Sequence, residues 1–331
     1  MSSLKKVVPG VRRTKQAIGR GTTIARVPGR LWQTGLFQPL NHVLARDGKR
    51  LRAELIELSY RIAGGKGDAP LDLIEFVELL HAGSLVIDDI EDGSTMRRGQ
   101  LTLHEAVGTP LAINTGNWMY FSALEKLQDL PLPPEQLMSV LSESISTIRR
   151  GHEGQALDLA AKVAEMDRRT IYPTVRAITR LKTGGVTALA AKLGAALAGA
   201  DRNRQRAFHA FGMQLGIGLQ MQNDLVELKS GTQFGGRSDD LRNARVTWPW
   251  AWVSRLRSER EFVELQCLLL ESSEENFQGV ATKLLDSIST VADKSVRRKM
   301  NGAMVCLAGA VDPRSAEALK KLAERIEAYH V

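Results

Sequence analysis

An all-α protein, a single large helical bundle, is what this sequence predicts, and three observations carry the prediction. Aromatic residues make up 5% of the 331 residues while Ala, Leu and Gly are plentiful, a composition that suits packed helices better than sheets. From Leu31 onward the apolar residues recur at helical spacing almost throughout. No stretch shows the alternation of a strand, and no short-period repeat is present. The expected boundaries are a basic N-terminal arm at 1–30 and one all-helical domain at 31–331.

The first helix is expected around Trp32 to Ala45, stopped at Asp47-Gly48. Lys49-Arg50-Leu51-Arg52 opens a second, which runs through Leu55, Ile56, Leu58 and Ile62 to Gly64-Gly65. Cations crowded at a helix N-terminus oppose its dipole. Either an anion is bound there by free N–H groups together with Lys and Arg, or the turn simply faces solvent. Pro70, read as a first helical residue, starts a long apolar helix. That helix ends in four acids within five positions, Asp88, Asp89, Glu91 and Asp92.

At about 100° per residue, Asp88 and Asp92 share a face one turn apart. They repel each other and load the negative end of the helix dipole, a penalty that a hard divalent cation removes. Mg²⁺ is typically held by one or two carboxylates plus substrate phosphates. Arg97 and Arg98 follow within a few residues, and guanidinium suits bidentate phosphate binding. The stretch therefore suggests a diphosphate carried by Mg²⁺, against a plainer reading of a solvated acidic helix end paired with a basic loop.

Further helices are expected over Thr102 to Val107 and Leu111 to Leu127, and then from Pro134 at an N1 position. Gly151 and Gly154 inside that long helix imply close packing or a kink. Asp167 to Leu181 forms the next, interrupted by Lys182-Thr183-Gly184-Gly185 before an Ala-rich run to Gly199. Lys182 and Thr183 are candidate phosphate contacts, with a simple kink the alternative. Arg202 to Ser230 carries Gln220, Asn223, Asp224 and Glu227, of which Asn223 and Glu227 share a face. Helices over 246–271, 275–310 (broken near Asp293) and 313–329 complete the chain.

The net charge of +8 is concentrated at the start, where no acid precedes Asp47. That arm reads as a transit peptide, a weak membrane-surface or polyanion contact, or a solvated extension, the last being preferred. Nucleic acid is not expected, because the arm lacks interleaved aromatics and no recognition motif follows. No apolar run approaches the roughly 18 residues that span a bilayer. Cys267 and Cys306 lie far apart, which fits a reducing compartment and a cytoplasmic protein.

Taken in order, Gly48-Lys49-Arg50-Leu51-Arg52, His81 through Gly99, Ala112 through Asn117, Gly154-Gln155 with Asp158, Lys182-Thr183 and Gln220 resemble the trans-isoprenyl diphosphate synthase family over roughly residues 40–250. The resemblance implies the class I isoprenoid synthase fold, a helical bundle around a central cavity. Two acidic motifs would hold Mg²⁺, three ions in the substrate complex, on an allylic diphosphate that ionises and is attacked by isopentenyl diphosphate. Asp88, Asp89 and Asp92 would form the first motif, with Asp88 and Asp92 as direct ligands. Arg97 would hold the allylic diphosphate. Lys49, Arg52, His81 and Arg98 would hold isopentenyl diphosphate, and Lys182 and Gln220 would sit at the allylic end.

Departures from the family pattern are specific. The second motif is Asn223-Asp224-x-x-Glu227 in place of Asp-Asp-x-x-Asp, so metal there should be held more weakly. Ala244-Arg245-Val246-Thr247-Trp248-Pro249 replaces Gly-Lys-x-Thr-x-Pro, with Arg245 keeping the lysine's charge. Trp248, Trp250 and Trp252 are unexpected, either core packing or a carbocation-stabilising wall. A class I terpene cyclase and a non-catalytic regulatory subunit are the alternatives to condensation. Small Gly83 and Ser84 before the first motif imply geranylgeranyl diphosphate or a longer product, with Tyr120 or Phe121 as deeper limits. A homodimer through helices near 108–128 is also implied.

Overall fold

The computed structural model describes residues 27–46, 50–232, 238–272 and 277–328. These fall into two compact units, one of 27–46 with Glu78–Ala123, the other of Arg50–Val77 with the residues from Leu124 onward. Lys49, Gly235, Gly236 and Arg237 lie outside the described residues, as does the arm up to Arg26.

Helix α1 (Gly29–Trp32) passes through a π-helical turn, Gln33–Phe37, into α2 (Gln38–Leu44). Then come α3 (Leu51–Ile62) and α4 (Leu71–Glu91), with Pro70 at the cap position, one residue earlier than the N1 place its sequence suggests. After α4 the chain makes a hairpin, β1 (Met96–Arg97) and β2 (Gln100–Leu101), which the helical pattern did not disclose. Helices α5 (Leu103–Val107) and α6 (Thr109–Gln128) follow.

Within the first unit, Leu36, Phe37, Leu40 and Met119 form one buried cluster, which Trp32 and Trp118 flank. Val86, Leu103 and Ala112 form a second, and Val43 of α2 packs against both. Helices α4 and α6 meet closely: a Cβ on Gly83 would stand 3.0 Å from the Gly116 carbonyl, and one on Gly116 2.8 Å from Ile87.

The second unit continues with α7 (Pro134–Ala160), α8 (Arg168–Thr179), a π-helical turn (Arg180–Gly184), α9 (Gly185–Leu197) and α10 (Arg202–Gly231). The Lys182-Thr183 segment therefore does not interrupt the helix; it widens one turn of it. Shorter α11 (Asp239–Arg242) and α12 (Trp248–Leu256) lead to α13 (Glu259–Glu271), α14 (Phe277–Ile288), α15 (Ala292–Val305) and α16 (Pro313–Ala328). The single helix expected over 246–271 breaks at Arg257-Ser258. There Ser258 and Glu261 exchange hydrogen bonds as a capping box and start α13 afresh.

Buried Ala-rich α9 is the centre of this unit, packed against α3, α10 and α7. The contacts are made by glycine. A Cβ on Gly194 would come within 2.7 Å of the Ile56 carbonyl in α3, and one on Gly212 of α10 within 2.6 Å of the Thr187 carbonyl. Gly154 of α7 is likewise pressed against Leu181, as its place inside a helix suggested.

Gly212→Ala is expected to destabilise the fold by about 1–3 kcal/mol, because the intruding methyl meets backbone that cannot turn aside. The midpoint of urea unfolding should fall accordingly, and an unchanged midpoint would contradict the backbone-to-backbone approach of α9 and α10.

Candidate active site

The candidate residues divide between the units, and each set has its own internal chemistry. In the first unit, α4 delivers His81, Asp88 and Asp89, with Asp92 one residue past its end, and the hairpin delivers Arg97 and Arg98. Arg97 bridges two of the acids: its Nε donates to Asp89 Oδ1 at 2.5 Å, and its terminal nitrogen lies 3.9 Å from Asp88 Oδ2. Asp89 is 2% exposed, and burial pushes its carboxyl upward while Arg97 pulls it back. Asp89 is thus the anchor for Arg97. Asp88 and Asp92 are half-buried and sit one turn apart, as the helical spacing requires.

The hairpin turn explains how Arg98 is presented. Arg97 pairs with Gln100, leaving Arg98 and Gly99 as the central residues at φ 52 and φ 74. Two left-handed residues are the signature of a type I′ turn, whose twist matches the strands it joins. Gly99 adopts that conformation readily, whereas Arg98 does so at a steric cost. Tyr120 of α6 belongs to the same neighbourhood: burial, then Glu91 and Asp88, raise its phenol well above the ordinary range. Gly83 packs on α6, and the Ser84 hydroxyl donates to the His81 carbonyl at 2.8 Å, so both small residues serve the local helix packing.

In the second unit, Arg52 lies half-buried in the first turn of α3. Lys182 Nζ, in the π turn, bonds Asp158 Oδ2 of α7 at 2.6 Å. Thr183 donates from Oγ1 to Gln220 Oε1 at 2.6 Å, and Gln220 Nε2 donates to Asp224 Oδ1 at 2.7 Å. The other oxygen of Asp224 accepts the Trp248 backbone N–H at 2.9 Å, at the start of α12. Asp224 is 7% exposed, and burial pushes its carboxyl up against these hydrogen bonds, with Glu227 and Asp158 adding to the rise.

The three residues of the second acidic motif therefore sit in different surroundings. Asp224 is a buried link between α10 and α12. Glu227 accepts the Asp240 N–H at 2.9 Å and the Ser238 hydroxyl at 3.3 Å, tying down the start of α11. Asn223 is exposed. Arg245 is 5% exposed and donates to the Asp158 carbonyl at 2.8 Å, which places it behind the Lys182–Asp158 pair. The three tryptophans are core residues: Trp248 donates from Nε1 to Thr179 Oγ1 at 3.0 Å, and Trp250 meets Phe262 edge to face at 6.0 Å. Sequence reasoning did not single out Asp158 and Thr179 for these roles, and it passed over the hydrogen-bonding of Arg46 described below. The Gly154-Gln155-x-x-Asp158 motif was the available signal for Asp158.

The sequence pattern described as polyprenyl synthetase matches residues 33–288. A geranylgeranyl pyrophosphate synthase of Geoglobus acetivorans is 31% identical over 254 residues, covering 76% of this chain and 77% of that protein. One of Eremothecium gossypii is 31% identical over 224 residues, covering 65% and 68%. A solved polyprenyl synthase from Caulobacter crescentus, complexed with calcium and isoprenyl diphosphate, has the same fold. It superposes with a TM-score of 0.78 at 24% identity, over 97% of this chain and 94% of that one. This chain belongs to the polyprenyl synthetase family, and it is a prenyltransferase of the all-α isoprenoid synthase fold. Among the described residues, no helix is long and apolar enough to cross a membrane.

Removing the Asp224 carboxylate tests its structural part. Asp224→Ala leaves the Trp248 N–H buried without an acceptor, a cost of about 1–3 kcal/mol. Asp224→Asn can keep that bond if the Gln220 amide turns over, so its loss should be well under half as large. Equal unfolding midpoints for both variants would contradict the assignment.

Proposed function

We propose that this chain condenses an allylic prenyl diphosphate with isopentenyl diphosphate, using Mg²⁺, and that its product is geranylgeranyl diphosphate. One observation carries the reading: Arg97 is held against buried Asp89 and reaches toward half-buried Asp88, so cation and acid are prepared side by side. Two relatives named geranylgeranyl pyrophosphate synthase at 31% identity support the product.

The donors fit a hard cation. Asp88 and Asp92 offer carboxylate oxygens, and Asn223 and Glu227 offer a carbonyl and a carboxylate. Among the described residues no three His, Cys, Asp or Glu side chains are gathered as a ready-made metal site. Mg²⁺ takes one or two carboxylates and completes its shell with water and substrate phosphates. Three such ions would be held in the substrate complex. Bound there, Mg²⁺ supplies charge neutralisation for the departing diphosphate.

The side chains do the rest. Arg97 takes the allylic diphosphate, already oriented by Asp89 so that little reorganisation is needed as charge builds on the leaving group. Arg98, His81, Arg52 and Lys49 hold isopentenyl diphosphate. Lys182, kept in place by Asp158, and Thr183 and Gln220, linked to each other, serve the allylic end. Asp224 and Arg245 act through the residues they position. A single domain over 31–331 behind a basic arm at 1–30, a cytoplasmic setting and weak membrane contact through that arm complete the proposal. So does a homodimer through α6, which leaves Phe121 70% and Ile113 42% exposed.

Purified protein given farnesyl diphosphate should consume it when isopentenyl diphosphate and Mg²⁺ are both present, yielding a twenty-carbon diphosphate by mass spectrometry. Hydrocarbon or alcohol from the allylic diphosphate alone would mean a cyclase, and no turnover of any allylic substrate a regulatory subunit. Asp88→Ala should abolish turnover without changing the unfolding midpoint. Asn223→Asp should lower the Mg²⁺ concentration needed for half-maximal rate by about tenfold, one added charge contributing on the order of 1.4 kcal/mol; an unaltered requirement would remove Asn223 from the metal site.

A further inference from the structure

The hairpin that carries Arg97 and Arg98 is small. Its strands are Met96–Arg97 and Gln100–Leu101, and a ladder of that size is marginal without outside support. On the β1 side the support is the Arg97–Asp89 pair. On the β2 side it comes from just beyond the end of α2. Arg46 donates from one terminal nitrogen to the Leu101 carbonyl at 2.5 Å and to His42 Nε2 at 2.6 Å.

His42 Nε2 also lies 3.1 Å from the same carbonyl. One imidazole nitrogen cannot accept from a guanidinium and donate to a carbonyl at once. The tautomer that satisfies Arg46 carries its proton on Nδ1, and Arg46 then supplies both hydrogen bonds. Leu101 stands opposite Met96, next to Arg97 in the ladder, so the bond pins the strand facing the substrate-binding arginine.

Charge makes the placement informative. Arg46 feels Asp89, Arg97 and Arg98; burial and the two like charges lower its pKa, and Asp89 opposes them. A third guanidinium brought toward two others is unfavourable for an empty protein and favourable for one that receives a polyanion.

We propose that Arg46 is the positioning residue of the hairpin: through the Leu101 carbonyl it fixes β2 and so sets Arg97 and Arg98 before substrate arrives. The catalytic part of this statement rests on the reading that those two arginines bind diphosphate; the mechanical part does not.

Hydrogen–deuterium exchange on the ligand-free full chain tests the mechanical part. Arg46→Met should speed exchange across 96–101 by about tenfold or more, as local opening becomes easier, while α10 amides keep their protection. In steady-state assays the same variant should lower kcat/KM for the allylic diphosphate about tenfold with kcat falling along with it, because Arg97 meets the charge that builds on the leaving group. Arg46→Lys should recover part of both, because an ammonium can reach the Leu101 carbonyl without also bridging to His42. If Arg46→Met does not fold, His42→Ala carries the same test with a smaller change.

Unchanged exchange over 96–101, or an unchanged kcat/KM for the allylic diphosphate, overturns the proposal. A wild-type chain that turns over no prenyl diphosphate, with a hairpin that still loosens in Arg46→Met, sinks the proposed function and leaves Arg46 as the hairpin's anchor.

Discussion

Helices α9 and α10 approach each other backbone to backbone, and the polar chemistry of the second unit depends on that approach. A Cβ on Gly216 would lie 2.9 Å from the Gly184 Cα and from the Thr183 carbonyl, and one on Gly184 2.7 Å from Met213 Sδ. Side chains of ordinary size at these places would push the helices apart by more than a hydrogen bond can stretch. At the distance glycine permits, Thr183 reaches Gln220, Gln220 reaches Asp224, and Asp224 reaches the first N–H of α12. An apolar packing constraint thus sets the geometry of a relay of polar groups. The relay in turn satisfies a carboxylate that burial would otherwise make costly.

The two acidic stretches solve the same electrostatic problem differently. Asp89 is offset by a guanidinium from a neighbouring hairpin, so the charge is balanced by a partner that can also meet a phosphate. Asp224 is offset by neutral donors, a backbone N–H and an amide, which hold it without adding charge. The first arrangement is suited to exchange one anion for another; the second fixes an architecture.

Much of this was legible from residue order. Helix periodicity, Pro134 at its N1 position, the close packing at Gly154 and the pairing of acids with arginines after α4 follow from local rules that tertiary structure does not override. The hairpin was not legible, because a type I′ turn is ordinarily announced by Asn-Gly or Asp-Gly and here reads Arg98-Gly99. The break before α13 could have been found: Ser258-x-x-Glu261 is a capping-box pattern inside what looked like one helix. The separate fates of Asn223, Asp224 and Glu227 could not, since spacing gives the face of a helix and not what lies against it. The tie made by Arg46 was not legible either, because nothing local to that residue announces a partner 55 residues away.

The widened turn at Arg180–Gly184 has a consequence for how this chain tolerates length changes. A π turn holds one residue more than the α-helical count, and each residue rotates the following face by about 100°. Lys182 and Thr183 ride within that extra residue's span, so the phase between α8 and α9 is adjusted there like a vernier. Dropping a residue from the turn would let the helix close up smoothly, with no proline, no gap and no lost ladder. Everything downstream would nonetheless be indexed to the wrong azimuth, a frameshift of surfaces in a protein whose secondary structure looked untouched.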